Sequence, residues 1–106
     1  MIDLNAVIWR ETRHAGLFIH PLWRDPQSGD TAILIRIKPD CAYPRHRHIG
    51  PEDVYVLQGG MRDEHCEVRA GEFRRYPAGS SHLPIALQSG EDCILFAIAH
   101  GGIELL

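Results

Sequence analysis

Four residues of types that commonly bind metal ions lie in two short stretches of this chain. His46, His48 and Glu52 fall within seven residues, and His82 follows downstream. In a β-strand, residues two apart point to the same face, so the imidazoles of His46 and His48 start about 7 Å apart and can converge on one ion. Glu52 has the same parity, and a turn through residues 49–51 would bring its carboxylate near the two rings. Two neutral imidazoles and a carboxylate suit Zn, Fe, Mn, Ni or Cu, so this stretch predicts a divalent metal site.

The second stretch is a short strand and a Pro/Gly turn that end at His82. Residues 71–82 contain Gly71, Pro77 and Gly79 before the histidine. A single histidine is usually a surface or hydrogen-bonded residue, and a solvated histidine-rich loop is the alternative interpretation. Four residues of ligand type at two linked spacings favour the metal site over that alternative.

Short segments of alternating polarity surround these stretches and predict an all-β fold. Thr31 to Lys38 alternates isoleucines with other residues, and Glu52 to Gln58 alternates in the same way. Cys93 to Ala99 is apolar on both faces, which predicts a central or covered strand. Pro21 confines its end of the strand over 16–23 to an edge or a bulge. Further strands are expected at 6–9, 61–68, 72–76 and 85–87, of which the charged segment 61–68 should be exposed, with turns at 25–30, 59–60, 69–71 and 88–92.

Length and composition indicate one soluble domain covering residues 1–106. A chain of 106 residues can form one hydrophobic core but not two. A net charge of -3 gives no reason to expect nucleic acid as a partner. No apolar run approaches the roughly 20 residues that span a bilayer, so no membrane is expected either.

The location of the protein is predicted from its N-terminus and its cysteines. Residues 1–5 lack the basic and apolar regions of a signal peptide. Cys41, Cys66 and Cys93 are odd in number and widely spaced. Such cysteines are typical of free thiols in a reducing compartment, so we expect a cytoplasmic protein.

The two stretches that carry the candidate metal ligands match the paired motifs of the cupin superfamily. The first reads His-x-His-x-x-x-Glu followed by six residues and Gly59, and the second reads Gly-x-x-x-x-x-Pro-x-Gly-x-x-His and ends at His82. Asp40 and Ala86 stand where these motifs usually have Gly and Asn, and neither is a ligand position. The resemblance implies a single-domain jelly-roll β-barrel around a small cavity. It also implies that the metal ligands are His46, His48, Glu52 and His82.

Further stretches within residues 7–96 are similar to the ChrR-like cupin group. They are Pro21 to Asp25, Gly29 to Thr31, Tyr43 to His48, Val54 to Gly59 and Gly79 to Pro84. That group includes the cupin half of ChrR-type anti-sigma factors and the acetylacetone-cleaving dioxygenases. The resemblance implies a bound divalent metal ion, with Zn or Fe expected first and Mn or Ni as alternatives, and a small-molecule ligand or substrate.

Three functions are compatible with such a site. The resemblance to the dioxygenases suggests an Fe(II)-dependent enzyme that acts on a small diketone-like molecule, in which Glu52 would be the candidate base if it does not bind the metal. The anti-sigma resemblance suggests a non-catalytic metal-binding sensor or small-molecule-binding module. Only residues 1–5 precede the first predicted strand, where such anti-sigma factors carry a sigma-binding domain, so a stand-alone metal-binding cupin is favoured. A third function, binding of a sugar or small acid, would use Arg62, Arg74 or Arg75 to pair an anion.

Outward-facing apolar residues predict that the protein forms a homodimer. Tyr55 and Leu57 face away from the metal side of their strand, and the run Val7 to Trp9 offers an edge to cover. Cupins that resemble this chain commonly pair. Light scattering at micromolar concentrations should therefore give the mass of a dimer, and the mass of a monomer would contradict the prediction.

Overall fold

The computed structural model describes residues 3–88 and 90–106, whose regular elements are β-strands. Met1, Ile2 and Ser89 lie outside the described residues, so the predicted turn at 88–92 is described only in part. The strands are Arg10–Glu11 (β1), Leu17–Arg24 (β2), Thr31–Ile37 (β3), His46–His48 (β4), Glu52–Gln58 (β5), Gly60–Arg62 (β6), Glu67–Arg69 (β7), Phe73–Tyr76 (β8), Ser81–His82 (β9), Ile85–Ala86 (β10), Cys93–Ala99 (β11) and Ile103–Leu105 (β12). Over these ranges no helix is long and apolar enough to cross a membrane.

The strands form one large sheet and two small ones. The large sheet has the order β1-β2-β3-β11-β5-β8, and the small sheets have the orders β10-β6-β7 and β12-β4-β9. A cluster of buried side chains from β3, β5 and β11 packs against side chains from β6, β7 and β10 and so joins the large sheet to one small sheet. The predicted all-β fold with sheets packed over one another is confirmed.

The alternation of polarity places the core residues as predicted. Ile35 and Ile37 of β3 are buried, and Val54 and Val56 of β5 are buried beside them. The apolar strand β11 pairs with β3 on one side and with β5 on the other, which makes it a central strand. Because a central strand packs side chains on both faces, the absence of polar alternation in Cys93–Ala99 is explained.

The N-terminal strand was predicted at Ala6 to Trp9, and this prediction is wrong. The strand begins at Arg10, where β1 pairs with β2 over two residues. The carbonyl of Ile8 lies 2.9 Å from Nδ1 of His20, so a side chain takes the acceptor that a longer ladder would use. Trp9 instead lies under the guanidinium of Arg36, 5.6 Å from the ring centroid.

The exposed strand predicted over residues 61–68 is in fact two strands, β6 and β7. The carboxylate of Asp63 accepts hydrogen bonds from the amides of His65 at 2.7 Å and Cys66 at 3.0 Å, and this bonding closes a turn between them. Met61 and Val68 are buried against the large sheet, which is also contrary to the prediction. A further strand, β12, was not predicted and pairs with the histidine strand β4.

The predicted turn at residues 59–60 requires a glycine at its first position. Gly59 has a φ of 67°, and a Cβ added there would lie 2.7 Å from the backbone oxygen of Asp92. Gly71 provides a matched control because its φ is 87° and no atom lies within 4 Å of an added Cβ.

We expect Gly71→Ala to lower the free energy of unfolding by about 1 kcal/mol, which is the cost of a left-handed backbone at a residue with a Cβ. Gly59→Ala should lower it by about 2–4 kcal/mol because the backbone must also move away from Asp92. Urea denaturation of the two variants measures the difference, and equal losses would contradict the predicted close approach.

Candidate metal centre

Two strands of one small sheet bring the three histidines together. His46 and His48 alternate on β4 with Arg47 between them, so both imidazoles point to the buried side while Arg47 is exposed. β9 pairs with β4 in a register that sets His82 directly opposite His46. The three imidazoles are therefore placed by one strand pair, and each is almost fully buried.

Glu52 reaches the histidines because the chain turns sharply after β4. Glu52 is the first residue of β5 and is buried. In the turn, a Cβ added at Gly50 would overlap the backbone oxygen of His100, so only glycine fits there. The amide of His100 also donates to the carbonyl of Pro51 at 3.0 Å. These contacts hold the turn in place and bring the carboxylate to the edge of the histidine cluster.

The structure brings all four predicted residues to one point. Nε2 of His46 lies 3.2 Å from Nε2 of His48 and 2.9 Å from Nε2 of His82, and Nε2 of His48 lies 3.3 Å from Oε1 of Glu52. All four candidate ligand atoms lie within 4.8 Å of one another. Two nitrogens that share an ion through bonds of about 2.1 Å lie about 2.9–3.4 Å apart in cis or tetrahedral positions. The cluster therefore has the dimensions of a site that could hold a metal ion.

The outer ring nitrogens decide which tautomer each histidine adopts. Nδ1 of His46 lies 2.9 Å from the carbonyl of Pro44, and Nδ1 of His82 lies 2.8 Å from the carboxylate of Asp63, so both nitrogens must donate. Nδ1 of His48 lies 2.9 Å from Oγ of Ser80. That hydroxyl donates its own proton to the carbonyl of Pro77 at 2.6 Å, so it accepts from the imidazole. Each Nε2 consequently presents a lone pair to the centre of the cluster.

Converging lone pairs repel one another unless a cation lies between them. A proton is a poor candidate, because burial lowers the pKa of His46 to about 4 and also lowers the pKa of His82. At neutral pH the imidazoles of His46 and His82 are therefore neutral, which is the form that binds metals. The donor set, with one carboxylate beside three imidazoles, thus fits a divalent metal ion.

The partner of His82 was not identified from the sequence. Asp63 is almost fully buried, and its carboxylate accepts hydrogen bonds from His82 and from the hydroxyl of Tyr76 at 2.9 Å. Burial of this carboxylate would raise its pKa, but hydrogen bonds from His82, from two backbone amides and from Tyr76 lower the pKa to about 2. A carboxylate bound to the outer nitrogen of a histidine is a common second layer of metal sites. Asp63 lay in a segment predicted to be an exposed strand, so no local signal pointed to it.

A cavity of about 260 Å³ opens beside the cluster. His46, Glu52 and His82 form its floor, and His48 lies behind them. Tyr43 stands edge-on to His46 with the ring centroids 5.0 Å apart, and burial, followed by the charge of Glu52, raises its pKa. The walls are mainly apolar and include Ile33, Ile35, Ile37, Val54, Met61, Pro84, Leu95, Ala99 and Ile103.

The three arginines considered for anion binding do not line this cavity. Arg75 makes a two-point ion pair with Asp53 at 2.6 and 2.8 Å. The guanidinium of Arg74 lies 5.7 Å from the ring centroid of Tyr76, and Arg62 is exposed. Arg24 does line the cavity, a role that was not predicted from its sequence position. The cysteines lie outside the cluster, and all three are free.

Two solved structures show the fold in other proteins. The anti-sigma ChrR in the crystal structure of its complex with SigE from Rhodobacter sphaeroides matches 92% of this chain and 50% of its own, with a TM-score of 0.79 and 33% identity. An acetylacetone dioxygenase from Acinetobacter johnsonii matches 100% of this chain and 75% of its own, with a TM-score of 0.81 and 13% identity. At that identity, the second likeness shows the fold alone.

Sequence comparison gives a curated relative and a family. The anti-sigma-E factor ChrR of Cereibacter sphaeroides is 38% identical over 73 residues, which are 68% of this chain and 34% of the relative. This chain thus spans about a third of the length of that relative. The model of the ChrR Cupin-like domain matches residues 1–103, so the chain belongs to the ChrR cupin-like family.

Proposed function

We propose that this chain is a metal-binding cupin whose His46, His48, Glu52 and His82 hold a divalent ion at the floor of a small-molecule site. The observation that carries the proposal is the set of three converging lone pairs. Hydrogen bonds to the outer nitrogens fix all three tautomers, and burial lowers the pKa of His46 and of His82. Zn and Fe suit three nitrogens and one carboxylate, with Mn and Ni as the next candidates.

The cavity supports a small and largely apolar substrate. Its volume of about 260 Å³ lies below the range of roughly 300–1,000 Å³ that is typical of pockets for drug-sized molecules. When bound, a divalent ion supplies Lewis acidity, and iron also supplies redox chemistry. Within this chain, the apolar walls exclude water and the histidines keep their outer nitrogens protonated. For an enzyme we propose an Fe(II)-dependent dioxygenase that acts on a small diketone-like molecule, which a small apolar cavity would accommodate.

Glu52 has two possible roles in that enzyme, and both follow from its position. Its Oε1 lies 3.3 Å from Nε2 of His48, which is within reach of an ion shared with the histidines. Its side chain also lines the cavity, where a carboxylate can accept a proton from a substrate. We propose the ligand role first and the base role if three imidazoles alone hold the ion.

The second candidate is a non-catalytic metal-binding sensor or small-molecule-binding module. The curated relative at 38% identity is an anti-sigma factor, and this observation favours the second candidate. In that function the same cavity would bind a ligand without converting it.

We further propose that residues 1–106 act as one cytoplasmic domain that pairs into a homodimer. The free thiols of Cys41, Cys66 and Cys93 support a reducing compartment. Tyr55 is 41% exposed on the outer face of the large sheet, and in the proposed dimer the partner protomer would cover this side chain.

Substitutions at the cluster should separate ligands from supporting residues. His82→Ala removes the only histidine that β9 contributes, so we expect it to lose most bound metal. Glu52→Gln leaves three imidazoles and should retain metal with lower affinity. Asp63→Asn removes the charge behind His82 and should lower metal affinity by about 10–100-fold. Mass spectrometry of bound metal and chelator competition measure these effects.

Asp92→Asn is the matched control, because Asp92 pairs with Arg36 and lies outside the cluster. It should keep the metal affinity of the wild type. Chelation should lower the melting temperature of the wild type, since the folded state binds the ion better than the unfolded chain does. Full metal occupancy in His82→Ala would contradict the proposed ligand set.

The dioxygenase and the sensor differ in oxygen consumption. Wild-type protein loaded with Fe(II) should consume O2 when pentane-2,4-dione is added, and protein loaded with Zn(II) should not, because Zn has no redox chemistry. An oxygen electrode measures both forms. If the Fe(II) form consumes no O2 with any of a panel of β-diketones while both forms keep their metal, the proposed dioxygenase activity is wrong and the sensor function is favoured.

A further inference from the structure

A β-bulge in β2 forms one side of the cavity mouth. Opposite β3, Pro21 pairs with Ile33 and Trp23 pairs with Ala32, so Leu22 is an extra residue in the strand. Bulges bend a strand and redirect its side chains. Trp23 and Arg24, which follow this bulge, both line the cavity. Both residues are exposed, in contrast to the buried floor.

Arg24 has no counter-charge of its own. In residues 3–88 and 90–106, the structure pairs Arg36, Arg45 and Arg75 with carboxylates but gives Arg24 no ion pair. Arg24 lines a cavity whose other side chains are mainly apolar. A guanidinium binds carboxylates through two parallel hydrogen bonds, so it favours that group over a neutral polar group.

Two positions along the cavity could pair an anionic group. One is the divalent ion proposed at the floor, whose charge exceeds that of Glu52, and the other is Arg24. Other lining side chains, such as Ile33 and Leu95, offer no hydrogen bond, so a carboxylate against them would be left unpaired at a substantial free-energy cost. Arg24 is the partner that the chain itself supplies, and removal of the ion distinguishes the two positions.

We propose that the cavity binds a small monocarboxylate, with its carboxylate at Arg24 and its apolar chain along the walls toward the metal cluster. The proposal deepens the proposed function, because it names the ligand class of the same small-molecule site. It assigns to Arg24 the anion-binding role that the sequence suggested for Arg62, Arg74 or Arg75.

The test compares matched ligands on matched variants. Calorimetric titrations use straight-chain carboxylates from butanoate to octanoate and the primary amides of the same lengths, on Zn(II)-loaded protein and on chelated protein. Wild type should bind the carboxylate about tenfold more tightly than the amide of the same length, which is typical of a gained charge-assisted hydrogen bond. Arg24→Gln should remove this preference. Arg62→Gln replaces an exposed arginine that does not line the cavity and should keep it.

Three results would overturn the proposal. Equal affinity for carboxylate and amide would remove the anion preference. A preference that survives Arg24→Gln but disappears on chelation would place the carboxylate on the metal ion. No binding of any carboxylate at millimolar concentration would exclude the ligand class.

Failure of the proposed function gives a different result. In that case the wild type would hold no metal by mass spectrometry, while the carboxylate preference of the chelated protein would be unchanged. The metal content of Arg24→Gln should equal that of the wild type, because Arg24 is not part of the histidine cluster.

Discussion

The hydrogen bonds behind the three histidines are the constraint on which the site depends. The carbonyl of Pro44, the hydroxyl of Ser80 and the carboxylate of Asp63 each bind one Nδ1. They force three Nε2 lone pairs toward one point, with separations of 2.9 and 3.2 Å from the central ring of His46. Lone pairs that converge in this way repel one another, and a cation at the centre of the cluster would offset that repulsion.

The outer partners come from loops and strands far apart in the chain. Asp63 lies in the turn between β6 and β7, and Ser80 lies just before β9. The hydroxyl of Tyr76 completes the hydrogen bonds of Asp63, and its ring lies 4.3 Å from that of His82. An unpaired buried carboxylate would cost several kcal/mol, so the turn that carries Asp63 depends on the side chains that β8 and β9 supply to it. The precision of the site is thus a property of tertiary packing.

The difference between local strand periodicity and tertiary packing explains which features could be predicted from the sequence. The period of a strand is local, so the shared face of His46 and His48 and the core positions of β3, β5 and β11 followed from spacing. Spacing alone could not reveal Asp63, because its contact to His82 depends on how two turns meet. The contact between His20 and the carbonyl of Ile8, which stops the predicted strand at residues 6–9 from forming, could not be predicted for the same reason. At Asp40, in contrast, the sequence motif does indicate the local backbone. The cupin motif usually has glycine there, and Asp40 adopts a left-handed φ of 63°, which aspartate tolerates better than most residues with a Cβ.

The three histidines and the mouth of the cavity belong to different sheets, whereas Glu52 lies on β5 of the large sheet. The histidines come from β4 and β9 in a small sheet. Trp23 and Arg24 come from β2 in the large sheet, where β3 and β11 separate β2 from β5. A substitution at Trp23 or Arg24 therefore changes the lining of the cavity without touching a histidine. One fold can in this way present different cavity walls beside the same histidine cluster, so the fold alone does not decide which molecule binds.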